Sequence, residues 1–144
     1  MKILLPDGWP RPSGYSNGIA VDAGRLVFIA GIVGWDSNGV FQSDDLVEQF
    51  RQVLLNTRAI MAEGDAGPED MVRMTWYITD KQEYLSRLRE LGATYRNVMG
   101  KHYPAMACVQ VTALMEDKAK IEIETTCVAA SQATPTLIRG DGPA

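Results

Sequence analysis

Between Leu46 and Thr79 the hydrophobic period of this chain changes from helical to extended, which excludes both an all-helical and an all-strand fold. Over Leu46 to Glu63, the residues Leu46, Val47, Phe50, Val53, Leu54, Thr57, Ile60 and Met61 recur at steps of three and four, with Glu48, Arg51, Gln52 and Arg58 between them. That spacing specifies an amphipathic helix. Asp44 or Asp45 is placed to cap it, and Gly64 to Pro68 ends it. From Met71 to Thr79, Val72, Met74, Trp76 and Ile78 alternate with Arg73, Thr75, Tyr77 and Thr79, the period of a strand with two unlike faces.

The flanking segments repeat both periods. Pro10, Pro12 and Gly14 make the lead-in from Trp9 extended. Gly18 to Val21 and Arg25 to Gly31, around the turn residues Asp22-Ala23-Gly24, read as a hairpin, and Trp35 to Gly39 is a second turn. A second helix is expected from about Lys81 to Met99, with Leu85, Leu88, Leu91, Tyr95 and Val98 inside and Gly100 as its stop. Ala105 to Val111 and Ala119 to Val128 are the last strands. Two strands, helix, strand, helix and two strands specify an α+β domain with two helices on one face of a mixed sheet. The other face, with Thr75, Tyr77 and Glu122, is too polar for a dry core and too rich in strand formers for a plain solvent face, so it requires a partner.

With 144 residues and 46% hydrophobic content, one buried core is expected over residues 1–130. The segment 131–144 lacks periodicity and reads as a loosely held tail, in which Arg139-Gly140-Asp141 carries no meaning. The net charge is −4 and no dense block of Lys and Arg occurs, so nucleic-acid binding is not expected. Trp9, Trp35 and Trp76 are scattered and serve packing. Met1 to Asp7 is too short in apolar residues for a signal-peptide core, and no stretch has the apolar length of a membrane span. A cytoplasmic location is expected, with Cys108 and Cys127 as buried free thiols. No metal-ligand spacing is present and no cofactor is expected.

Three motifs then narrow the lineage. They are Gln49, Arg51, Gln52, Leu54, Asn56, Ala59 and Ile60 on the first helix, Asp70 to Thr75 on the following strand, and Pro104-Ala105 with Cys108 together with Lys120-Ile121-Glu122-Ile123-Glu124. Over Gly14 to Val128 the chain resembles the RidA family, also called YjgF, of small imine and enamine deaminases. The resemblance implies a chorismate-mutase-like fold, a homotrimer whose sheets form a central barrel, and a small-molecule cleft at each protomer boundary. It further implies that Tyr15 closes the cleft, that the Gly31 backbone lies against the ligand, that Cys108 lines the pocket, and that Glu122 orients the attacking water. The family's deaminases bind the substrate carboxylate through an arginine directly after Pro-Ala, where this chain has Met106. Ala30 and Ile32 stand in place of serine and glutamine, and Gly92 in place of asparagine.

Each of these residues also has a plainer reading. Met106 by itself is a core filler, Glu122 a solvated acid on a strand, and His102 a surface histidine in a loop. At the arginine's place, however, Met106 leaves a ligand carboxylate unpaired, at a cost of roughly 3–5 kcal/mol by analogy with broken buried ion pairs. A cleft with fewer polar contacts points to a substrate less polar than a small amino-acid-derived imine. The alternative is a trimer that binds or senses a small molecule without turning it over.

Overall fold

The structure, a computed structural model, describes residues 1–131. Its elements are β1 (Lys2–Ile3), β2 (Ile19–Ala20), β3 (Arg25–Val33), α1 (Leu46–Glu63), a 3-10 turn (Pro68–Asp70), β4 (Met71–Ile78), α2 (Lys81–Ser86), α3 (Leu88–Met99), β5 (Ala105–Gln110) and β6 (Ile121–Ala129). Four strands form a mixed sheet in the order β3-β6-β4-β5, with β4 and β5 parallel and the other pairs antiparallel. Helices α1 and α3 cover one face. Between them and the sheet lie Phe50, Val53, Leu54 and Met61 from α1, Tyr95 and Val98 from α3, and Met74, Trp76, Ile121, Ile123 and Cys127 from the strands. The α+β architecture expected from the change of period is therefore observed.

The first helix runs over the residues its spacing specifies, and the Asp45 carboxylate accepts from the Glu48 backbone N–H at its start. Gln49 is polar but faces inward, 1% exposed, because the loop before β6 needs it. Its Nε2 donates to the carbonyls of Ser43 and Lys118 at 3.0 and 2.8 Å, and its Oε1 accepts from the Lys120 N–H at 2.8 Å. Asn56 does the same for the end of β3, donating to the Val33 and Trp35 carbonyls. These bonds satisfy backbone groups that packing has removed from water.

Three expectations are corrected. Gly18 to Val21 does not form a hairpin with β3; β2 pairs antiparallel with β1, which is a strand that three apolar residues at the terminus did not announce. The second helix breaks at Arg87, whose backbone leaves the helical region (φ −116°, ψ 15°) while its guanidinium bridges Asp45 and Glu90, each at 2.8 Å. Leu85 and Leu88, assigned to the inner stripe, are exposed, whereas Leu91, Tyr95 and Val98 are buried. A one-residue break leaves the apolar spacing in phase, so periodicity does not report it. The expected tail lies outside the described residues apart from Ser131.

On the uncovered sheet face stand Arg73, Thr75 and Tyr77 of β4 beside Thr126, Glu124 and Glu122 of β6, and the Tyr77 hydroxyl donates to Glu124 at 2.7 Å. The nearby strand β3 exposes Leu26 and Phe28, the latter 73%. Large apolar side chains on a sheet face without a covering layer mark an association surface.

Candidate functional site

β5 is an outer strand of the sheet. In the parallel register, Met106 and Cys108 stand beside Met74 and Trp76 of β4, and this places their side chains on the helix-covered face. Along the free edge of β5 runs the segment after Gly14, a residue at positive φ (79°). Ser16 donates from its N–H to the Pro104 carbonyl at 3.0 Å and from its Oγ to the Tyr103 carbonyl at 2.6 Å, which holds Tyr15 at the edge of β5. Between this segment, β5 and the outer side of α3 lies an open cleft of about 1370 Å³. Four of the seven residues expected at a site, Tyr15, Gly92, Met106 and Cys108, line it.

The floor is aromatic. Trp76 is mostly core, packed on Phe50 with ring centroids 4.9 Å apart, yet it reaches the cleft, and its indole N–H has no acceptor among the described residues. Tyr95 stacks on Tyr103 at 5.2 Å and donates to the His102 carbonyl. His102 is half-buried and its Nε2 lies 2.7 Å from the Met71 carbonyl. It is thus a structural link between its loop and β4, not the surface histidine expected. Cys108 is exposed, not buried, because β5 has no strand beyond it. Partial burial of its sulfur still pushes the thiol pKa up, and a hydrogen bond with Tyr84 offsets part of that shift.

The cleft also holds a set of residues that sequence reasoning missed. Arg11, Arg89, Arg96 and Lys101 line it, and among the described residues no Asp or Glu does. Arg89, Gly92 and Arg96 follow at steps of three and four, which puts them on one stripe of α3. That spacing was visible in the sequence, but only the fold shows that the stripe faces a cleft. The thinning of polar contacts expected from Met106, Ile32 and Gly92 therefore does not extend to the cleft as a whole.

The other expected residues lie elsewhere in the chain. Glu122 of β6 points to the uncovered sheet face and lies on Gly31, where an added Cβ would come within 2.9 Å of the carboxyl carbon. A side chain at position 31 would therefore push the Glu122 carboxylate aside. Ile32 pairs with Ile123 and packs against the core, so it does not line the cleft with Met106. Gly31 lies on the outer strand β3 and Glu122 on the inner strand β6 beside it, whereas Met106 and Cys108 lie on the other outer strand, β5, and on the opposite face. Within one chain they do not meet. Among the described residues no group of three or more His, Cys, Asp or Glu side chains gathers to hold a metal ion, and no helix is long and apolar enough to cross a membrane.

Comparison with known proteins gives this geometry a context. The sequence profile of the family described as endoribonuclease L-PSP matches residues 10–129. A 2-iminobutanoate/2-iminopropanoate deaminase of Salmonella typhimurium is 32% identical over 131 residues, 88% of this chain and 97% of its own. The crystal structure of YyfB, a Rid family protein of Yersinia pestis, superposes with a TM-score of 0.75 at 30% identity, covering 88% of this chain and 97% of that one. E. coli TdcF, solved with bound serine, does so with a TM-score of 0.63 at 30% identity, covering 90% and 100%.

Proposed function

The chain belongs to the RidA/YjgF family, and from that premise we propose that it is a cytoplasmic homotrimer, one domain over residues 1–130, that hydrolyses a C=N or enamine bond in a cleft shared by two protomers. The observation that carries this reading is the division of the expected site between opposite faces of one sheet, with Gly31 and Glu122 on its β3-β6 side and Met106 and Cys108 on the β5 edge. A ring of head-to-tail contacts brings the β3 edge of one protomer against the β5 edge of the next. It joins Gly31 and Glu122 of one chain to Tyr15, Met106 and Cys108 of another, and it covers Leu26 and Phe28.

In such a site Glu122 accepts a proton from a water whose oxygen attacks the imine carbon. Glu122 returns that proton to the imine nitrogen, and the resulting carbinolamine passes its hydroxyl proton to the nitrogen through the same carboxylate and expels ammonia, leaving the carbonyl product, so no redox partner is needed. Met106 neither donates nor carries charge, so the group seated against it is uncharged, and deamination of 2-aminoacrylate-type imines is weak. RNA cleavage has less support, because the one histidine of the chain already engages the Met71 carbonyl through Nε2. Met106 at the arginine's place favours a second reading, a trimer that binds a ligand without turnover.

The test uses imines generated in situ by an amino-acid oxidase, with ammonia release as the readout. Glu122→Gln is expected to lose most turnover and retain ligand binding. Undiminished turnover in Glu122→Gln removes Glu122 from the chemistry, and absence of turnover in the parent with every imine offered favours the binding trimer.

A further inference from the structure

We infer that anion recognition in this protein has moved from strand β5 to helix α3, where Arg96 and Arg89 bind an oxyanion of the ligand at a distance from the group that faces Met106. The inference rests on the cleft reading above and specifies the ligand's chemical class: a small molecule with an uncharged end at the β5 strand and a carboxylate or phosphate at the helix.

Charge is the first argument. The chain as a whole is acidic, at −4, yet among the described residues the cleft is lined by Arg11, Arg89, Arg96 and Lys101 and by no acid. Cations gathered in a concave, partly apolar wall focus a positive potential there, and an anion entering the cleft meets it unopposed. The ion pairs among the described residues use Arg87 and Lys120, so the guanidinium groups of Arg89 and Arg96 pair with no carboxylate of the described residues. A guanidinium in this position offers forked donors that match an oxyanion, which the thioether of Met106 lacks.

The second argument is steric and ties Gly92 to Arg96. Side chains on a helix lean toward its N-terminus, so Arg96 folds back over the residue four positions earlier. Its Nη1 lies 3.3 Å from where a Cβ at position 92 would stand, tighter than an ordinary van der Waals contact. A Cβ at 92 would shift the guanidinium by a few tenths of an ångström, and a longer side chain would compete with it for the same space. The loss of a polar side chain at 92 and the presence of a cation at 96 are thus two halves of one arrangement.

The experiment measures binding to the intact protein by calorimetry in the Glu122→Gln background, where turnover does not interfere. The probes are 4-oxopentanoate, its methyl ester and inorganic phosphate. 4-Oxopentanoate is expected to bind, more weakly as salt is raised. Arg96→Gln and Arg89→Gln should each weaken it by about ten- to a hundredfold, the range of a charged hydrogen bond, while Met106→Ala changes it less than about threefold. Gly92→Asn should act in the direction of Arg96→Gln, and the ester should bind as poorly to the parent as the acid does to Arg96→Gln. Phosphate displacing 4-oxopentanoate from the parent identifies the natural group as a phosphate, and failure to displace it identifies a carboxylate. If both arginine variants, with unchanged circular dichroism, bind 4-oxopentanoate as the parent does, or if the ester binds equally well, the inference is wrong. Turnover that survives Glu122→Gln while Arg96→Gln abolishes binding overturns the proposed chemistry and leaves the anion site standing.

Discussion

Replacing Gln49 by methionine keeps the volume of a side chain that is 1% exposed and removes all three of its hydrogen bonds, to Ser43, Lys118 and Lys120. A net value of about 1 kcal/mol for each bond gives a loss of about 3 kcal/mol. Water cannot readily replace the lost partner, because the space remains filled by the thioether. For a chain of this size each kcal/mol corresponds to about 3–4 °C, so the melting temperature should fall by about 10 °C. Calorimetric scans at fixed protomer concentration check this, since association would otherwise shift the midpoint. Gln49→Glu should be more damaging at neutral pH, because an anionic oxygen then faces the two carbonyls to which Nε2 donates. The functional consequence is local: Lys120 leads directly into β6, so amide exchange at Ile121 and Glu122 should quicken before that of α1. A melting shift below about 2 °C in Gln49→Met, with unchanged exchange at β6, would refute the view that this glutamine holds the Glu122 strand in place.

Other perturbations probe the remaining links. Light scattering of the parent should report three chains per particle, and Phe28→Asp, which places a charge where a 73%-exposed ring awaits a partner sheet, should shift the protein toward monomers; a parent that stays monomeric at all concentrations sinks the shared cleft. The Arg87 guanidinium, hydrogen-bonded to Asp45, holds that carboxyl below its usual range, so its contribution is present at neutral pH and lost as the pH falls through the lowered value. Asp45→Asn, which leaves a cap but removes the charge, should therefore cost up to about 1 kcal/mol in urea unfolding at pH 7, and the gap should close as the pH falls below the ordinary carboxylate range and through the lowered value; a gap that persists in acid contradicts the ion pair. Burial raises the Cys108 thiol pKa and the Tyr84 hydroxyl opposes the rise, so Tyr84→Phe should move the alkylation profile of Cys108 to higher pH, and a profile that moves down would show that Tyr84 does not stabilise the thiolate.

The helix Leu46–Glu63 was legible because eighteen residues keep one period with a cap at Asp45 and a glycine after the end. β4 was legible because Met74, Trp76 and Ile78 alternate with polar residues over its full length. Patterns of this kind depend only on near neighbours in the chain. The pairing of Lys2–Ile3 with Ile19–Ala20 escaped them, since two-residue strands contain no period. So did the exposure of Leu85, Leu88 and Cys108, because an apolar residue looks the same in a sequence whether it meets a core, a cleft or an open sheet edge.

For the site, the sequence by itself determined which residue types are present at the family's ligand positions, above all that a thioether stands where an arginine binds carboxylate. It also determined which of them share a local face, as Glu122 does with Glu124 and Arg96 with Gly92. The tertiary structure alone decided that Glu122 and Met106 belong to different strands and opposite faces of one sheet, and that Arg11, Arg89, Arg96 and Lys101 line a single cleft. Strand order and helix docking are set by contacts between residues far apart in the chain, and the sign of the potential in a cleft is a sum over all the elements that surround it.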